Sequence, residues 1–320
     1  MLISTLNYRS VANLWPLHMS ATWLLVFLTF IRTGPFGLNN GTSNFSWIGL
    51  PLGLSLQPSE LAKISFIITF ALHLSNVRNN INNPKTLFFV LMHMLAPAAV
   101  IHFQGDDGTA LIFLFIGIIM LFVAGLSYKY ILSVLGVALI SSLFFGNYVW
   151  NNIISQYQRS RILGVFFPEN PEYKTVLYQQ NMASIAIGSG GLTGKGFLQD
   201  EHHYVPVNQN DFLFSYIAES AGFIGSCMVL FLLLFLIIKT FATALRSKDK
   251  LGSLICTGVA SVFIIQMVLN IGMNLTLLPV IGITLPFFSS GGTSVTMLYL
   301  SIGVVLSVYR FNVDSLFDKK

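Results

Sequence analysis

The stretch FLFSYIAESAGFIGSCMVLFLLLFLIIK, residues 212–239, decides the class of this protein. It carries one carboxylate, Glu219, and reaches its next charge only at Lys239. A helix needs about 20 mostly apolar residues to cross the hydrocarbon core of a bilayer. The stretch is therefore predicted to be a membrane-spanning helix.

Apolar segments of similar length recur along the chain, at 14–33, 58–76, 87–104, 109–126, 129–150, 253–275 and 286–309. Only 9% of the 320 residues are charged and 54% are hydrophobic, whereas a soluble domain has roughly 25% charged residues. The mean hydropathy is +0.73. We predict an all-α, polytopic membrane helical bundle with about eight transmembrane helices, forming one domain over 1–320.

The basic residues follow a topological pattern rather than forming a basic face for nucleic acid, so no nucleic-acid partner is predicted. They cluster in alternate connections, which the positive-inside rule places in the cytoplasm: Arg9; Arg78 and Lys85; Lys129; Lys239, Arg246, Lys248 and Lys250; Arg310, Lys319 and Lys320. Both termini are then cytoplasmic. The opposite side receives the segments 34–57, 104–108, 151–211 and 276–285, of which 151–211 is the one large polar loop.

Acidic residues have the complementary distribution. Most fall in the predicted outer segments: Asp106, Asp107, Glu169, Glu172, Asp200, Glu201 and Asp211. Three fall on the other side: Asp249, Asp314 and Asp318. Because acidic residues contribute little to orientation, this bias indicates either chemistry at the outer face or simple solvation of the loops.

Glu60 and Lys63 lie in the first turns of the predicted helix that begins at Pro58. Proline is favoured there because its missing N–H would be unpaired anyway. Residues three apart share one helix face, and ionisable groups inside a span usually face a polar interior. Two interpretations stay open, an architectural ion pair or the wall of a cavity near the outer surface.

The segment QGDDGT, residues 104–109, is predicted to be a minimal turn between two spanning helices. Gly108 suits a positive φ, and Thr109 or Asp107 can cap the next helix. The adjacent carboxylates of Asp106 and Asp107 attract cations, but such a pair alone is a weak metal signal. No cofactor is assigned, and a divalent cation stays an open alternative.

The glycine-rich run IAIGSGGLTGKGF, residues 185–197, is not a Walker A motif. Gly196 occupies the position that needs Ser or Thr, and Gly190 and Gly194 have the wrong spacing to Lys195. Glycines let the backbone approach a ligand closely. Backbone N–H groups together with Lys195 are predicted to hold a pyrophosphate, which fits a lipid-linked substrate.

Asp211 stands where the 151–211 segment enters the next helix. It is either a simple N-cap or a carboxylate tuned toward general-base work at the mouth of a partly dry cavity. Glu219 lies two turns deeper, and an intramembrane acid is a functional candidate. His202 and His203 are predicted to be ordinary loop residues, because adjacent side chains point different ways.

Several motifs together resemble the SEDS family of RodA, FtsW and SpoVE proteins, from about residue 34 to the C-terminus. They occur in the family's order: QPSELAK at 57–63, GT before an apolar run at 108–123, YQRSRI at 157–162, the glycine-rich run at 185–197, a proline before DFLF at 206–214, and NIGMNLTLLPVIGITLPFFSSGGTS at 270–294.

This resemblance implies a peptidoglycan glycosyltransferase that polymerises lipid II at the outer face of the bacterial cytoplasmic membrane, in wall synthesis for cell shape, division or sporulation. A class B penicillin-binding protein and membrane lipid are the implied partners. Asp211 matches the family's essential outer-loop aspartate and is the predicted general base. Glu60 and Lys63 match its acidic and basic pair, and the further predicted substrate-binding residues are Arg159, Lys195 and Glu219.

The chain departs from the family pattern at several positions near this site. Val207 stands where a glutamate usually follows the loop proline, and Gln209 and Asn210 replace His-Thr. Ser220 replaces the second of two glutamates, and Gly105 replaces a proline. The family typically has about ten spans, so the chain is expected to be short at its N-terminal end.

Two other functions use the same residues differently. A lipid II flippase or other transporter would need the cavity and the intramembrane acids but no bond formation. A non-catalytic scaffold would keep the fold and bind a penicillin-binding protein. Asp211 separates these alternatives, because neither a transporter nor a scaffold specifically needs a base at that position.

Overall fold

The computed structural model describes residues 2–31, 46–49, 55–198 and 202–312. Some residues named above lie outside this part of the chain: Asp200, Glu201, Asp314, Asp318, Lys319, Lys320 and most of the 34–57 segment. The described residues are almost entirely helical. Their strands are a two-residue antiparallel pair, β1 (Ile48–Gly49) and β2 (Ser55–Leu56).

The helices follow one another along the described chain as α1 (Tyr8–Asn13), α2 (Trp15–Leu28), α3 (Pro58–Val77), α4 (Pro84–Phe103), α5 (Asp107–Ala124), α6 (Tyr128–Tyr148), α7 (Gln156–Phe166), α8 (Lys174–Ser189), α9 (Leu213–Arg246), α10 (Lys250–Asn274) and α11 (Gly292–Phe311). Within the described residues, seven helices are long and apolar enough to cross a membrane, namely α3 to α6 and α9 to α11. The shorter apolar helix α2 occupies the place of the predicted first span. The predicted all-α, polytopic membrane fold is confirmed.

The turn before α5 differs from its prediction. Asp106, rather than Asp107 or Thr109, is the N-cap, and its side chain accepts a hydrogen bond from the Thr109 N–H at 3.0 Å. Because the helix already begins at Asp107, Gly108 is helical. The positive φ of 82° belongs to Gly105 instead, the position at which a proline could not be accommodated.

The contacts divide the chain into two compact units. Unit 1 comprises 1–125, 234–265 and 291–320, and unit 2 comprises 126–233 and 266–290. The single domain over 1–320 stays a prediction. In unit 1, α3 contacts α2, α4, α5 and α11. Most of its side chains are buried, which explains why a helix inside a membrane protein can carry polar groups.

Polar contacts bring three of the basic segments of unit 1 together at one end. Arg9 Nε lies 2.9 Å from the carboxylate of Asp249. Asn312, just after α11, accepts from the Lys248 N–H at 2.6 Å and donates to the Arg246 carbonyl at 2.7 Å. The start of the chain, the α9–α10 connection and the end of α11 therefore share one end, as the positive-inside pattern requires of them.

The opposite ends of the unit 1 helices meet through a second set of contacts. Gln57, before α3, donates to Asp106 before α5 at 2.9 Å. Thr293, in the first turn of α11, donates to the carbonyl of Ser55 at 3.0 Å. The QPSELAK and QGDDGT motifs therefore lie at the same end of unit 1, as predicted.

The Asp249 contacts make unit 1 sensitive to acid. Burial alone would raise the pKa of this carboxyl, but hydrogen bonds from Arg9, the Gly252 N–H and Tyr8 outweigh it, so the pKa is lowered in the fold. Because its pKa is lower in the folded state, this carboxylate stabilises the fold at pH values above its unfolded-state pKa of about 3.9. This stabilisation is lost as the pH falls through the folded-state pKa. We expect the melting temperature of the wild type in detergent to fall between about pH 5 and pH 3, where a carboxylate of this kind becomes protonated.

The matched variant is Asp249→Asn, which should be less stable at pH 7 and lose this part of the acid response. The effect should stay near or below about 1 kcal/mol, because the Arg9 and Asp249 side chains are 49% and 30% exposed. An unchanged acid response in the variant would contradict the assignment.

Unit 2 corrects the prediction that 151–211 is a plain polar loop. A π-helical turn at Val149–Ile153 leads into α7, and α8 occupies Lys174–Ser189. Ser155 and Gln158 form a capping box at the start of α7, which is a local signal for a helix. The segment thus places two helices on the rest of unit 2.

A small apolar cluster and one amide attach α8 to the rest of unit 2. The cluster is formed by Ala183, Ala186, Val205, Phe212 and Val280. The side chain of Gln180, which is 1% exposed, donates to the carbonyls of Met273 and Leu278, each at 2.9 Å. These contacts fix the 151–211 segment beside the residues that follow α10.

Candidate active site

Asp211 lies two residues before α9 and is half-buried. Its main-chain carbonyl accepts two hydrogen bonds from α10, one from Asn270 Nδ2 at 2.8 Å and one from Asn274 Nδ2 at 3.1 Å. Both asparagines are 0% exposed. The backbone at the predicted catalytic residue is therefore held by two buried amides of α10.

The carboxylate of Asp211 faces the turn that contains Gly282. A Cβ atom on Gly282 would lie 3.7 Å from Asp211 Oδ2, and the glycine has a φ of +77°. This conformation is unfavourable for residues with a side chain. The positive φ therefore favours glycine at this position, where the turn passes close to the carboxylate.

The two residues before Asp211 are fixed by the serines of the PFFSSGG stretch. Ser290 N–H donates to the Gln209 carbonyl at 3.0 Å, and Ser289 Oγ donates to the Asn210 carbonyl at 2.6 Å. Ser290 Oγ also donates to the side-chain oxygen of Asn210 at 2.6 Å. Gln209 and Asn210, at which the chain departs from the family pattern, are therefore both held by hydrogen bonds from these serines.

Val207 has a φ of +59°. For a β-branched residue this left-handed conformation is a backbone outlier with a cost of order 1–3 kcal/mol. The carbonyl of Val207 accepts from the Asn210 N–H at 3.1 Å and from the Phe212 N–H at 3.5 Å. The strained turn therefore carries the chain from Val205 to the start of α9.

Helix α9 is interrupted at Gly222, whose φ of 67° and ψ of −164° are not helical. Only glycine readily adopts this region. A break of this kind leaves backbone carbonyls before it and N–H groups after it without helical partners. Within a membrane such groups must find protein partners.

The glycine-rich run supplies those partners. The N–H groups of Lys195 and Gly196 donate to the carbonyls of Glu219 and Ser220 at 2.9 and 2.8 Å. On the other side of the break, the Phe223 N–H donates to the Gly191 carbonyl at 2.9 Å. The Ile224 N–H donates to the Leu192 carbonyl at 3.1 Å. The run completes the hydrogen bonding of the broken helix, and we name residues 190–196 the clasp.

The clasp changes the prediction that backbone N–H groups of this run hold a pyrophosphate. Those of Lys195 and Gly196 are bonded to α9, and that of Gly194 donates to the Gly190 carbonyl at 2.8 Å. The predicted role of these three N–H groups is therefore wrong. The sequence showed that the backbone must approach something closely, but it did not show that the partner is another part of the chain.

The clasp predicts a strong contrast between two glycines of the same motif. A Cβ atom on Gly190 would clash with the Ala218 carbonyl and lie 2.9 Å from the Glu219 Cα, whereas one on Gly188 would meet nothing within 4 Å. We expect Gly190→Ala to destabilise the protein by about 1–3 kcal/mol. Gly188→Ala, in the helical part of α8, should be neutral or stabilising by about 0.5–1 kcal/mol. Thermal unfolding in detergent measures both, and equal stabilities would contradict the close approach.

Glu219 is 1% exposed and collects donors from three parts of unit 2. Its carboxylate lies 2.8 Å from Lys195 Nζ, 2.6 Å from His203 Nδ1 and 3.1 Å from Ser189 Oγ. The His203 N–H donates to it as well, at 3.1 Å. The carboxylate therefore joins α8, the clasp and the 202–203 segment to α9.

The two histidines are the residues that sequence reasoning missed. Both approach the same carboxylate, since His202 Nδ1 is 3.4 Å from Glu219 Oε2. Both are loop residues, as predicted, but the expectation that their side chains point different ways is wrong. A signal was present in the sequence: an intramembrane acid needs partners, and His202 and His203 come shortly before the helix that carries it.

Glu60 and Lys63 form the predicted ion pair in unit 1. Glu60 Oε1 and Lys63 Nζ are 2.7 Å apart, and the residues are 6% and 3% exposed. Asp106 is a third ionisable group in their surroundings. Burial raises the pKa of the Asp106 carboxyl, while the Thr109 N–H and hydroxyl and the charge of Lys63 act against this rise.

The YQRSRI motif lies on α7 and presents two arginines. Arg161 donates to the Val280 carbonyl at 2.8 Å and to the Tyr157 hydroxyl at 2.5 Å, so its role in the fold is clear. The Nε atom of Arg159 is buried without a hydrogen-bond partner in the described chain. Arg159 is therefore the better placed of the two to bind an anion.

The predicted site residues thus fall into separate groups. Unit 2 joins Lys195 and Glu219 directly, places Asp211 at the start of α9, and carries Arg159 on α7. Glu60 and Lys63 belong to unit 1. The described residues contain no group of three His, Cys, Asp or Glu side chains that could hold a metal ion.

A sequence model of the FtsW, RodA and SpoVE proteins, described as "Cell cycle protein", matches residues 1–313. The chain belongs to this family. The matched range includes residues of both units and every predicted site residue.

Curated members of the FtsW/RodA/SpoVE family align with nearly the whole chain. The stage V sporulation protein E of Bacillus subtilis is 34% identical over 316 residues, which cover 97% of this chain and 82% of that protein. The peptidoglycan glycosyltransferase MrdB of Escherichia coli is 29% identical over 90% of this chain and 76% of its own length. A probable peptidoglycan glycosyltransferase FtsW of Geobacter metallireducens is 33% identical over 89% of this chain and 74% of that protein.

Solved structures of this family share the fold. A chain from a peptidoglycan synthase complex superimposes with a TM-score of 0.81 and 28% identity, covering 98% of this chain and 85% of that one. The rod shape determining protein RodA of Thermus thermophilus gives a TM-score of 0.64 and 26% identity, over 97% and 82% of the two chains. The match of the chain to multi-pass membrane proteins agrees with the helices described above.

Proposed function

We propose that this FtsW/RodA/SpoVE family member is a peptidoglycan glycosyltransferase that polymerises lipid II into glycan strands. Two of the three curated relatives described above, MrdB and FtsW, carry this activity in their names. The observation that supports the reaction most directly is Asp211, a half-buried carboxylate at the membrane-helix start whose backbone is fixed by buried amides. A carboxylate held in place and partly shielded from water suits proton transfer.

The reaction requires one proton transfer and one bond exchange. A sugar hydroxyl of one lipid-linked chain attacks the anomeric carbon of a second lipid-linked sugar. The new glycosidic bond forms as the bond to undecaprenyl pyrophosphate breaks, and the leaving group takes the electron pair. Asp211 accepts the hydroxyl proton, which keeps the attacking oxygen nucleophilic. The turn at Gly282 lies close to this carboxylate, since a Cβ atom on the glycine would be 3.7 Å from Asp211 Oδ2.

Positive charge must stabilise the departing pyrophosphate. The ammonium groups of Lys63 and Lys195 each already pair with a carboxylate at 2.7 and 2.8 Å. The buried Nε of Arg159 has no partner in the described chain. Of the predicted substrate-binding cations, Arg159 is thus the one that we propose contacts the pyrophosphate. A bound divalent cation would serve the same purpose.

The nature of the substrate determines on which side of the membrane the site lies and which molecules contact it. Lipid II is anchored by a polyprenyl tail, so the site must open to membrane lipid. We propose that Asp211 faces outward from the bacterial cytoplasmic membrane and that both termini are cytoplasmic, as the basic connections indicate. A class B penicillin-binding protein is the proposed partner, supported by the similar chain found in a peptidoglycan synthase complex.

The break in α9 is the feature that would also suit a transporter. Transporter sites are typically formed by discontinuous helices whose unpaired backbone groups bind the transported ion or substrate. Here the four groups exposed by the break at Gly222 are bonded to the clasp. The break therefore supports a structural joint rather than a transport site, which favours the polymerase over a flippase.

The test is polymerisation by the purified protein together with a class B penicillin-binding protein whose own transpeptidase serine is replaced. Lipid II is supplied, and glycan chains are separated by gel. Chains from the wild type, and none from the partner alone, would support the proposal. Chain formation must also be lost when Asp211 is replaced.

The other functions give different results in the same preparation. Transfer of lipid II between the leaflets of proteoliposomes without chain formation would favour a flippase. Stable binding of the penicillin-binding protein without either reaction would favour a scaffold. Each of these results would overturn the proposed glycosyltransferase.

A further inference from the structure

Two asparagines on α10 converge on the main chain of Asp211. Asn270 and Asn274 are four residues apart, so they share one face of the helix, and both are 0% exposed. An amide buried in a membrane helix costs free energy unless its hydrogen bonds are made. Here the Nδ2 groups of both are used on the same carbonyl, at 2.8 and 3.1 Å.

Asn274 occupies the place of a helical hydrogen bond. In a regular helix the Asp211 carbonyl would accept from the Ser215 N–H. Instead, Asn274 Nδ2 donates to that carbonyl at 3.1 Å, and Asn274 Oδ1 accepts from the Ser215 N–H at 3.2 Å. The Ser215 N–H also donates to the Phe212 carbonyl at 3.1 Å. The Asn274 amide therefore bridges the Asp211 carbonyl and the first turn of α9.

Asn270 connects the two sides of the space around the carboxylate. Its Nδ2 group donates to the Asp211 carbonyl at 2.8 Å and to the Ile283 carbonyl at 2.7 Å. Ile283 directly follows Gly282, the glycine on which a Cβ atom would lie 3.7 Å from Asp211 Oδ2. One amide therefore fixes both the residue that carries the carboxylate and the glycine turn opposite it.

We propose that Asn270 and Asn274 are positioning residues that hold Asp211 in the geometry for proton transfer, an inference that rests on the proposed function. They act on the Asp211 backbone and leave substrate binding to other residues. Displacing a catalytic group by about 1 Å can cost on the order of a hundredfold in rate. Loss of either amide should therefore lower kcat and leave KM close to the wild-type value.

The test compares Asn270→Leu and Asn274→Leu with Gln266→Met in the full-length protein. Leucine keeps the branching of asparagine at Cγ and removes the amide. Gln266 lies one turn earlier on α10, is 2% exposed, and its Oε1 has no partner in the described chain. It is therefore a control for changing a buried amide at this level of the helix. Asn270→Ser, a smaller change that keeps a hydroxyl donor, replaces the leucine variant if that variant does not fold.

Two measurements are made on each variant. Hydrogen exchange of the peptides covering residues 209–216 reports the backbone geometry and needs no activity. Polymerisation of lipid II with the penicillin-binding partner gives kcat and KM. We expect faster exchange and a kcat lowered about 10- to 100-fold in the asparagine variants, with neither change in Gln266→Met.

The outcomes separate this inference from the proposed function. Unchanged exchange at 209–216 would overturn the positioning role, whatever the activity. Faster exchange with wild-type kcat would also overturn it. If the wild type makes no glycan, the proposed function fails, and with it the catalytic purpose of the two asparagines, although faster exchange would still identify the backbone contact.

Discussion

Asp211→Asn should fold like the wild type and polymerise lipid II about 10² to 10⁴ times more slowly, the range that a general base contributes. Asparagine keeps the shape of the side chain, and the carbonyl that accepts from Asn270 and Asn274 is part of the backbone and unchanged. The substitution removes the negative charge of the side chain and with it the ability to accept a proton. We therefore expect a loss in kcat with unchanged lipid II binding and unchanged thermal stability.

The control is Glu169→Gln, which neutralises an exposed carboxylate of the same 151–211 segment. It should leave polymerisation at the wild-type rate. Chain synthesis by Asp211→Asn at that rate would refute the general-base assignment. A loss of activity accompanied by a lower melting temperature would instead show that the negative charge of Asp211 stabilises the fold.

Lys63→Met should be the most destabilising single substitution among those considered for unit 1. It removes one member of an ion pair whose side chains are only 4% and 7% exposed. The remaining Glu60 charge would then lie buried without its cation, and breaking a buried pair in this way costs about 3–5 kcal/mol. A lowered melting temperature in detergent, or loss of the folded protein, is the expected result.

Two further variants separate the two interpretations of this pair. Arg9→Met breaks an exposed pair, with side chains 49% and 30% exposed, and should cost no more than about 1 kcal/mol. The double variant Glu60→Leu/Lys63→Met should recover most of the lost stability, because no unpaired charge remains. If Glu60 and Lys63 bind substrate, the recovered protein polymerises at least about tenfold more slowly. Wild-type activity in the double variant would identify a purely architectural pair.

Local patterns predicted the fold well for a physical reason. The spanning helices were visible because a bilayer demands long apolar segments, and the Glu60–Lys63 pair followed from a spacing of three on one helix. Errors arose where the backbone conformation of a residue depended on the residue at which a helix begins. Gly105 rather than Gly108 has the positive φ, because α5 begins at Asp107, two residues before the predicted span over 109–126.

The 151–211 segment shows where local patterns stop being informative. Its polarity predicted a loop, but α7 and α8 fold there, since polar helices can pack on the rest of unit 2. The glycine-rich run predicted a close backbone approach, which is correct. Its partner is the break at Gly222 rather than a pyrophosphate.

The amino-acid sequence alone was enough to predict a polytopic helical membrane protein, with Asp211 where a polar segment enters a spanning helix. These are properties of neighbouring residues, set by hydropathy and spacing. Only the tertiary structure showed that Asn270 and Asn274 hold Asp211, and that the clasp and two histidines surround Glu219. Those contacts join residues far apart in the chain, and they form because buried backbone groups and charges must find partners once water is excluded.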